Sequence, residues 1–177
     1  MPSYIRTRWS KIKRGVESRF AESVAGRVTL FMTGYHAKHN EIGRWAFRVD
    51  GTEVYDVGDL TSWGSNPVSV DPALSRQEGE RDLRQKGLHD RDSLLESLRE
   101  YLSLDIDAAH NSPDVVIRSL AILDRRTGKK RLRTLISVPI GHPLMRRCLE
   151  LRCEAENIHM RLAENDQSGN KASSLRR

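Results

Sequence analysis

Between Arg125 and Arg133 six of nine side chains are cationic: Arg125, Arg126, Lys129, Lys130, Arg131 and Arg133, set around Gly128. Arginine offers a planar fork that matches two phosphate oxygens and lysine a compact point charge, so a cluster this dense has the chemistry to hold phosphates. Gly128 reads as the stop of a preceding helix, and cations beside a helix C-terminus gain about 0.3–1 kcal/mol from the macrodipole. That accounts for one or two of the six. No aromatic residue is interleaved with them, so contact with nucleic acid would run through its backbone and not through stacked bases. A solvated or internally paired surface is the other reading of the same residues. Lys11 and Arg14, on the polar face of an N-terminal helix, are candidates to extend the surface.

Asp124 interrupts the run. On a helix it falls between Ile117 and Leu120, inside the apolar sector and near a C-terminus where the dipole disfavours a carboxylate. An acid so placed needs a cationic or hydrogen-bonding partner. Arg152, on the flank of the last helix's apolar seam, is the first candidate for that structural ion pair.

The remaining polar groups carry less. His36 and His39 near Glu41 could contact a metal, but they fall between two predicted strands, where an exposed loop is expected. Asp105, Asp107 and His110 fall in a helix-to-loop transition that is an equally weak signal. His142 before Pro143 reads as a helix-entry residue. Gly-rich phosphate loops, nucleophile elbows and His-Glu-x-x-His patterns are missing from the sequence, so no catalytic residue, metal ligand or cofactor is assigned. Cys148 and Cys153 lie five positions apart on one helix, about 140° around its axis, and cannot bridge each other.

Periodicity supplies the elements that must position these groups. Trp9, Ile12, Val16, Phe20 and Val24 recur at spacings of three and four, which predicts a leading helix stopped at Gly26. Val28–His36 alternates with strand period, and two further strands flank Asp50-Gly51, a strong hairpin signal. Trp45, Phe47 and Val49 line one face of the resulting three-stranded antiparallel meander. From 58 to 87 the pattern weakens into an irregular insertion, open to motion, with a helix start at Asp71-Pro72. Ser93 to Glu96 forms a capping box that opens a clear helix. The apolar run from Pro113 to Arg125 suits a helix or a buried strand, and Ser112-Pro113-Asp114 favours the helix. A last helix from Pro143 to about Leu162 carries Leu144, Cys148, Leu151, Ala155, Ile158 and Leu162, a packing seam for another helix within the chain or in a homo-oligomer through 144–162.

The expected architecture is therefore α+β: an N-terminal helix on a three-stranded antiparallel sheet, followed by a mainly helical C-terminal half, as one domain over 1–163. Residues 164–177 are a polar tail without means to bury itself. Net charge is +6 in 177 residues, divided as +7 over 1–49, −9 over 50–114 and +8 over 115–177. Such segregation permits self-neutralisation on folding as well as association with an acidic partner. No apolar run reaches about 18 residues, so no membrane span is expected. The basic start lacks the apolar stretch of a secretory signal, and a cytoplasmic location is expected.

The segments Arg8–Lys13, Gly26–Val28, Leu123–Leu132, His142–Leu144 and Leu151–Glu156 resemble a family of small bacterial proteins. Its members open on a Trp-Ser-Lys helix and carry a Leu-Asp-Arg-Arg-x-Gly-Lys element, then His-Pro before a final helix. The resemblance implies a bacterial source and brings no established activity, so no catalytic residue is carried over. The expected function is that of a non-enzymatic, nucleic-acid-associated accessory protein that contacts phosphates through the basic cluster. The alternative is a protein-interaction module or homo-oligomer built on the last helix.

Overall fold

Asp50 and Gly51 both have positive φ, 50° and 82°, the geometry of the tight turn that suits the twist of a two-residue hairpin. They join strand β2 (Glu41–Val49) to β3 (Thr52–Gly58), and β2 pairs on its other side with β1 (Val28–His36) in the antiparallel order β1-β2-β3. An Arg27–Asp50 ion pair of 2.8 Å pins the turn to the start of β1. The computed structural model describes residues 3–36, 41–58, 83–89 and 91–160. The helix start at Asp71-Pro72, most of the irregular insertion, the tail from 164 and His39 lie outside the described residues.

Alternation decides which face of the sheet is covered. Val28, Leu30 and Met32 on β1 and Trp45, Phe47 and Val49 on β2 are all buried. Helix α1 (Ser3–Glu17) packs on β1, and α2 (Arg91–Ser103) packs on both α1 and β2. The chain continues as α3 (Ile106–Asn111), α4 (Val115–Leu123), α5 (Lys129–Ile136) and α6 (Pro143–Ala155). This is the expected α+β arrangement, with a helical second half.

Helix α4 is the centre of that half. Of its nine residues only Arg118 reaches solvent, because α2, α3 and α6 surround it. A helix apolar on every side has no amphipathic signature, which is why its sequence also suits a strand. Asp114 caps it, with Oδ1 accepting the N–H groups of Val116 at 2.7 Å and Ile117 at 3.3 Å.

Three boundaries differ from the periodic reading. The leading helix ends at Glu17, not at Gly26. Beyond it the backbone leaves the helical ladder to pair with the end of α4: Ala21 N–H donates to Leu123 O at 2.9 Å, and Arg125 N–H to Arg19 O at 2.8 Å. Phe20 and Val24 keep the burial that their spacing predicts. Helix α2 starts at Arg91, which puts Ser93 and Glu96 inside it and not at its cap. The last helix ends at Ala155, where Asn157 adopts φ 54°. Ile158 N–H then bonds Cys153 O at 2.8 Å and Asn157 N–H bonds Glu154 O at 3.1 Å, a Schellman ending that leaves Ile158 beyond the helix. Leu162 lies outside the described residues.

Candidate functional site

The turn that carries the basic cluster is anchored by Asp124, which is fully buried. Its Oδ2 accepts the Tyr101 hydroxyl at 2.6 Å and Arg126 Nη2 at 2.7 Å. Its Oδ1 accepts the Arg126 backbone N–H at 2.8 Å and Nε at 3.1 Å. Burial acts to raise the Asp124 pKa, but the hydrogen bonds from Arg126 and Tyr101 outweigh it and hold the carboxyl below its usual range. The same burial, with the carboxylate beside it, pushes the Tyr101 phenol upward.

The cationic partner of Asp124 is thus Arg126 and not Arg152, which corrects the expected ion pair. Residues two apart on a helix point away from each other. Asp124, however, is the C-cap of α4 with φ −66° and ψ 137°, so the chain has left the helix and Arg126 folds back onto it. Arg152 is buried elsewhere: Nη1 meets Glu156 and Ser23, and Nη2 donates to Thr127 O at 3.4 Å.

Thr127 carries the chain on to Gly128. Its hydroxyl donates to Ala121 O at 2.6 Å and accepts from His110 Nε2 at 2.7 Å. Burial, reinforced by the nearby Arg131 charge, lowers the His110 pKa to about 4, so this imidazole is neutral at pH 7.

Gly128 then begins a helix where the sequence suggested the end of one. It is the N-cap of α5, with no side chain capping the free N–H groups. Lys129, Lys130 and Arg131 therefore occupy the first turn, at the positive end of the macrodipole, where cations are disfavoured by about 0.3–1 kcal/mol each. The dipole does not explain these cations; it opposes them.

Local acids neutralise three of the six. Arg126 pairs with Asp124 at 2.7 Å, Lys129 with Glu156 at 3.3 Å, and Arg131 with Asp107. Arg125, Lys130 and Arg133 are exposed and have no ion pair among the described residues. Lys130 and Arg133 are neighbours at i and i+3 on α5. Lys11 and Arg14 are also exposed, but on α1, which packs chiefly on α2 and β1. The sequence thus joined in one list residues that the fold distributes over two elements.

A second polar centre escaped the sequence reading. Asp114 Oδ2 accepts Ser97 Oγ at 2.6 Å and His89 Nε2 at 3.0 Å, inside the core. The His89 carbonyl accepts Trp45 Nε1 at 3.2 Å. Burial favours protonation of Asp114, yet bonds from His89 and Ser97 leave its carboxyl below the usual range. An N-cap aspartate needs one oxygen for its helix, and the spare one was the available signal; nothing local pointed to His89, 25 residues away. Cys148 and Cys153 are both free and buried, and burial pushes the Cys148 thiol up to about 12. Among the described residues no cluster of three or more His, Cys, Asp or Glu is placed to hold a metal, and no helix is long and apolar enough to cross a membrane.

A family model matches residues 8–153, which include the basic turn, Asp124, Tyr101 and both polar centres. The chain belongs to the SF0329 protein family. No curated protein and no solved structure matches it. The matched span of this SF0329 family member opens at Arg8, beside Trp9, and closes at Cys153 near the end of α6.

Proposed function

We propose that the chain is a nucleic-acid-associated accessory protein that contacts backbone phosphates through Arg125, Lys130 and Arg133. The observation that carries this reading is the uncapped N-terminus of α5 with Lys130 in its first turn, preceded by Arg125 and followed one turn on by Arg133, none of the three in an ion pair among the described residues. Free backbone N–H groups and a positive dipole end favour an anion, and the flanking cations strengthen the same field. Lys130, set against the helix dipole with no ion pair among the described residues, lowers stability when nothing is bound. An anionic partner reverses that cost. Arg126, Lys129 and Arg131 have a structural role in this reading, because each is engaged in an ion pair, Lys129 sharing Glu156 with Arg152.

The last helix offers less to the alternative reading. Leu144, Cys148 and Leu151 are buried where α6 packs on α4, which supports packing of these seam positions within the chain.

Fluorescence anisotropy with a labelled duplex and a labelled single strand, over a salt series, tests the proposal. Three phosphate contacts give a slope of log K against log salt of about −3 on duplex, at about −0.9 per contact. Replacing Arg125, Lys130 and Arg133 together by Ala is expected to remove that slope and leave the fold intact. Absence of binding at low salt, or binding unchanged in the triple variant, refutes the reading.

A further inference from the structure

His142 ties two distant parts of the chain together with its two ring nitrogens. Nδ1 accepts the backbone N–H of Leu144 at 3.2 Å, in the first turn of α6. Nε2 lies 3.2 Å from the carbonyl oxygen of Lys86, in the segment 83–89. A backbone N–H only donates and a carbonyl only accepts, so these bonds select the neutral ring with its proton on Nε2. Pro143 follows at the first helical position and has no N–H, which leaves Leu144 as the first donor in need of a cap.

We infer that His142 is an acid-released cap of α6, braced against the segment 83–89 by its other ring nitrogen. A proton on Nδ1 points at the Leu144 N–H, so that bond cannot persist in the imidazolium. The Nε2–H bond to the Lys86 carbonyl suits the neutral and the charged ring alike, so it keeps the ring braced. Only the α6 end opens.

The surroundings set the direction. Among the described residues, Arg118 on α4 and His89 on the segment 83–89 oppose a positive ring electrostatically. Arg146 lies one helical turn along α6, with its backbone N–H on the His142 carbonyl at 3.1 Å. The positive end of the α6 dipole acts in the same sense. Asp114 has both oxygens engaged, by Val116, Ile117, Ser97 and His89. Burial first, then the Arg118 and His89 charges, hold the His142 pKa below 6.5 against the pull of the Lys86 carbonyl. The cap is therefore in place at neutral pH. His89 stays seated through Asp114 and Trp45 and the Lys86 bond persists, which confines the opening to the first turn of α6.

Hydrogen exchange and ring NMR on the full chain test this. The Leu144 amide is expected to lose protection relative to its intrinsic rate by up to about tenfold per pH unit below the ring's midpoint. His142→Asn keeps a side-chain oxygen for the Leu144 N–H and does not titrate, so it is expected to remove that pH dependence. In the native chain the His142 ring is expected to show the Nε2–H tautomer at pH 7.5 and a midpoint below 6.5. A midpoint at or above 6.5, the Nδ1–H tautomer, or an unchanged pH dependence in His142→Asn overturns the inference. If His142→Asn does not fold, the tautomer and midpoint of the native chain decide it.

Discussion

The Tyr101 hydroxyl donates a 2.6 Å hydrogen bond to Oδ2 of Asp124, with both side chains fully buried. The bond joins the last turn of α2 to the C-cap of α4, two elements that no local sequence signal brings together. It also holds the base of the basic turn, since Asp124 in turn fixes Arg126. A buried carboxylate that loses a donor keeps its desolvation cost without the compensating bond.

Asp124→Asn keeps the shape and removes the charge that Arg126 faces. Breaking a buried pair from one side costs about 3–5 kcal/mol. Arg126 is one-third exposed and rehydrates in part, so the expected loss is nearer about 2–3 kcal/mol. Tyr101→Phe removes a bond to a charged acceptor and is expected to cost about 1.5–3 kcal/mol. Urea unfolding of each variant, and of the double variant for their coupling, checks both. Stability equal to the parent in either variant contradicts the role of Asp124 as an anchor.

His110 makes stability depend on pH in a defined window. Its folded pKa of about 4 lies below its ordinary value of 6.5, so the unfolded chain binds the extra proton between these values. The stabilisation is complete above about 6.5 and declines as pH falls toward about 4. Asp114 and Asp124, with lowered carboxyl pKa values, add a further loss only below the ordinary range, near 3.8. Unfolding free energies across pH 7.5 to 4 in the parent and in His110→Asn are expected to diverge on the acid side, with the flatter profile in the variant.

Gly128→Ser tests the uncapped start of α5. Its φ of −79° is ordinary for any residue, and a side chain there meets nothing within 4 Å. A serine oxygen at the N-cap is expected to stabilise the helix by a few tenths of a kcal/mol, on the order of 0.3. Gly128→Asp adds a charge that competes with phosphate at the same N–H groups. Thermal unfolding is expected to show both variants at or above parental stability, and anisotropy to show weaker binding for the aspartate.

Leu151→Ala opens a cavity where α6 meets α4. Leu151 is 2% exposed, and truncation of a buried leucine costs about 2–5 kcal/mol. Denaturant midpoints measured at two protein concentrations check the cost and its origin. A cost independent of concentration places the seam within the chain, whereas a concentration-dependent midpoint places it between chains.

The strands, the burial of Trp45, Phe47 and Val49, the hairpin at Asp50-Gly51, and the helix after Asp114 were legible because each rests on residues a few positions apart. Alternation of period two and a helix-start triplet act within one element. The need of Asp124 for a partner was also legible, because an acid among apolar residues carries its desolvation cost wherever it folds. Its actual partners were not. Tyr101 is 23 residues away, and Arg126 becomes available only because α4 stops at Leu123.

Tertiary structure decided what the basic residues face. Gly128 serves as easily before a helix as after one, and the choice depends on Asp124 ending α4 and Thr127 tying back to Ala121. That choice reverses the sign of the dipole at Lys129 and Lys130. Which cations are neutralised depends in turn on Asp107 and Glu156, brought in from α3 and from the end of α6. Sequence alone determined that six charges would crowd around one glycine. Only the folded chain could select Arg125, Lys130 and Arg133 as the unpaired ones, because Coulomb energy depends on distances between residues that the chain order leaves far apart.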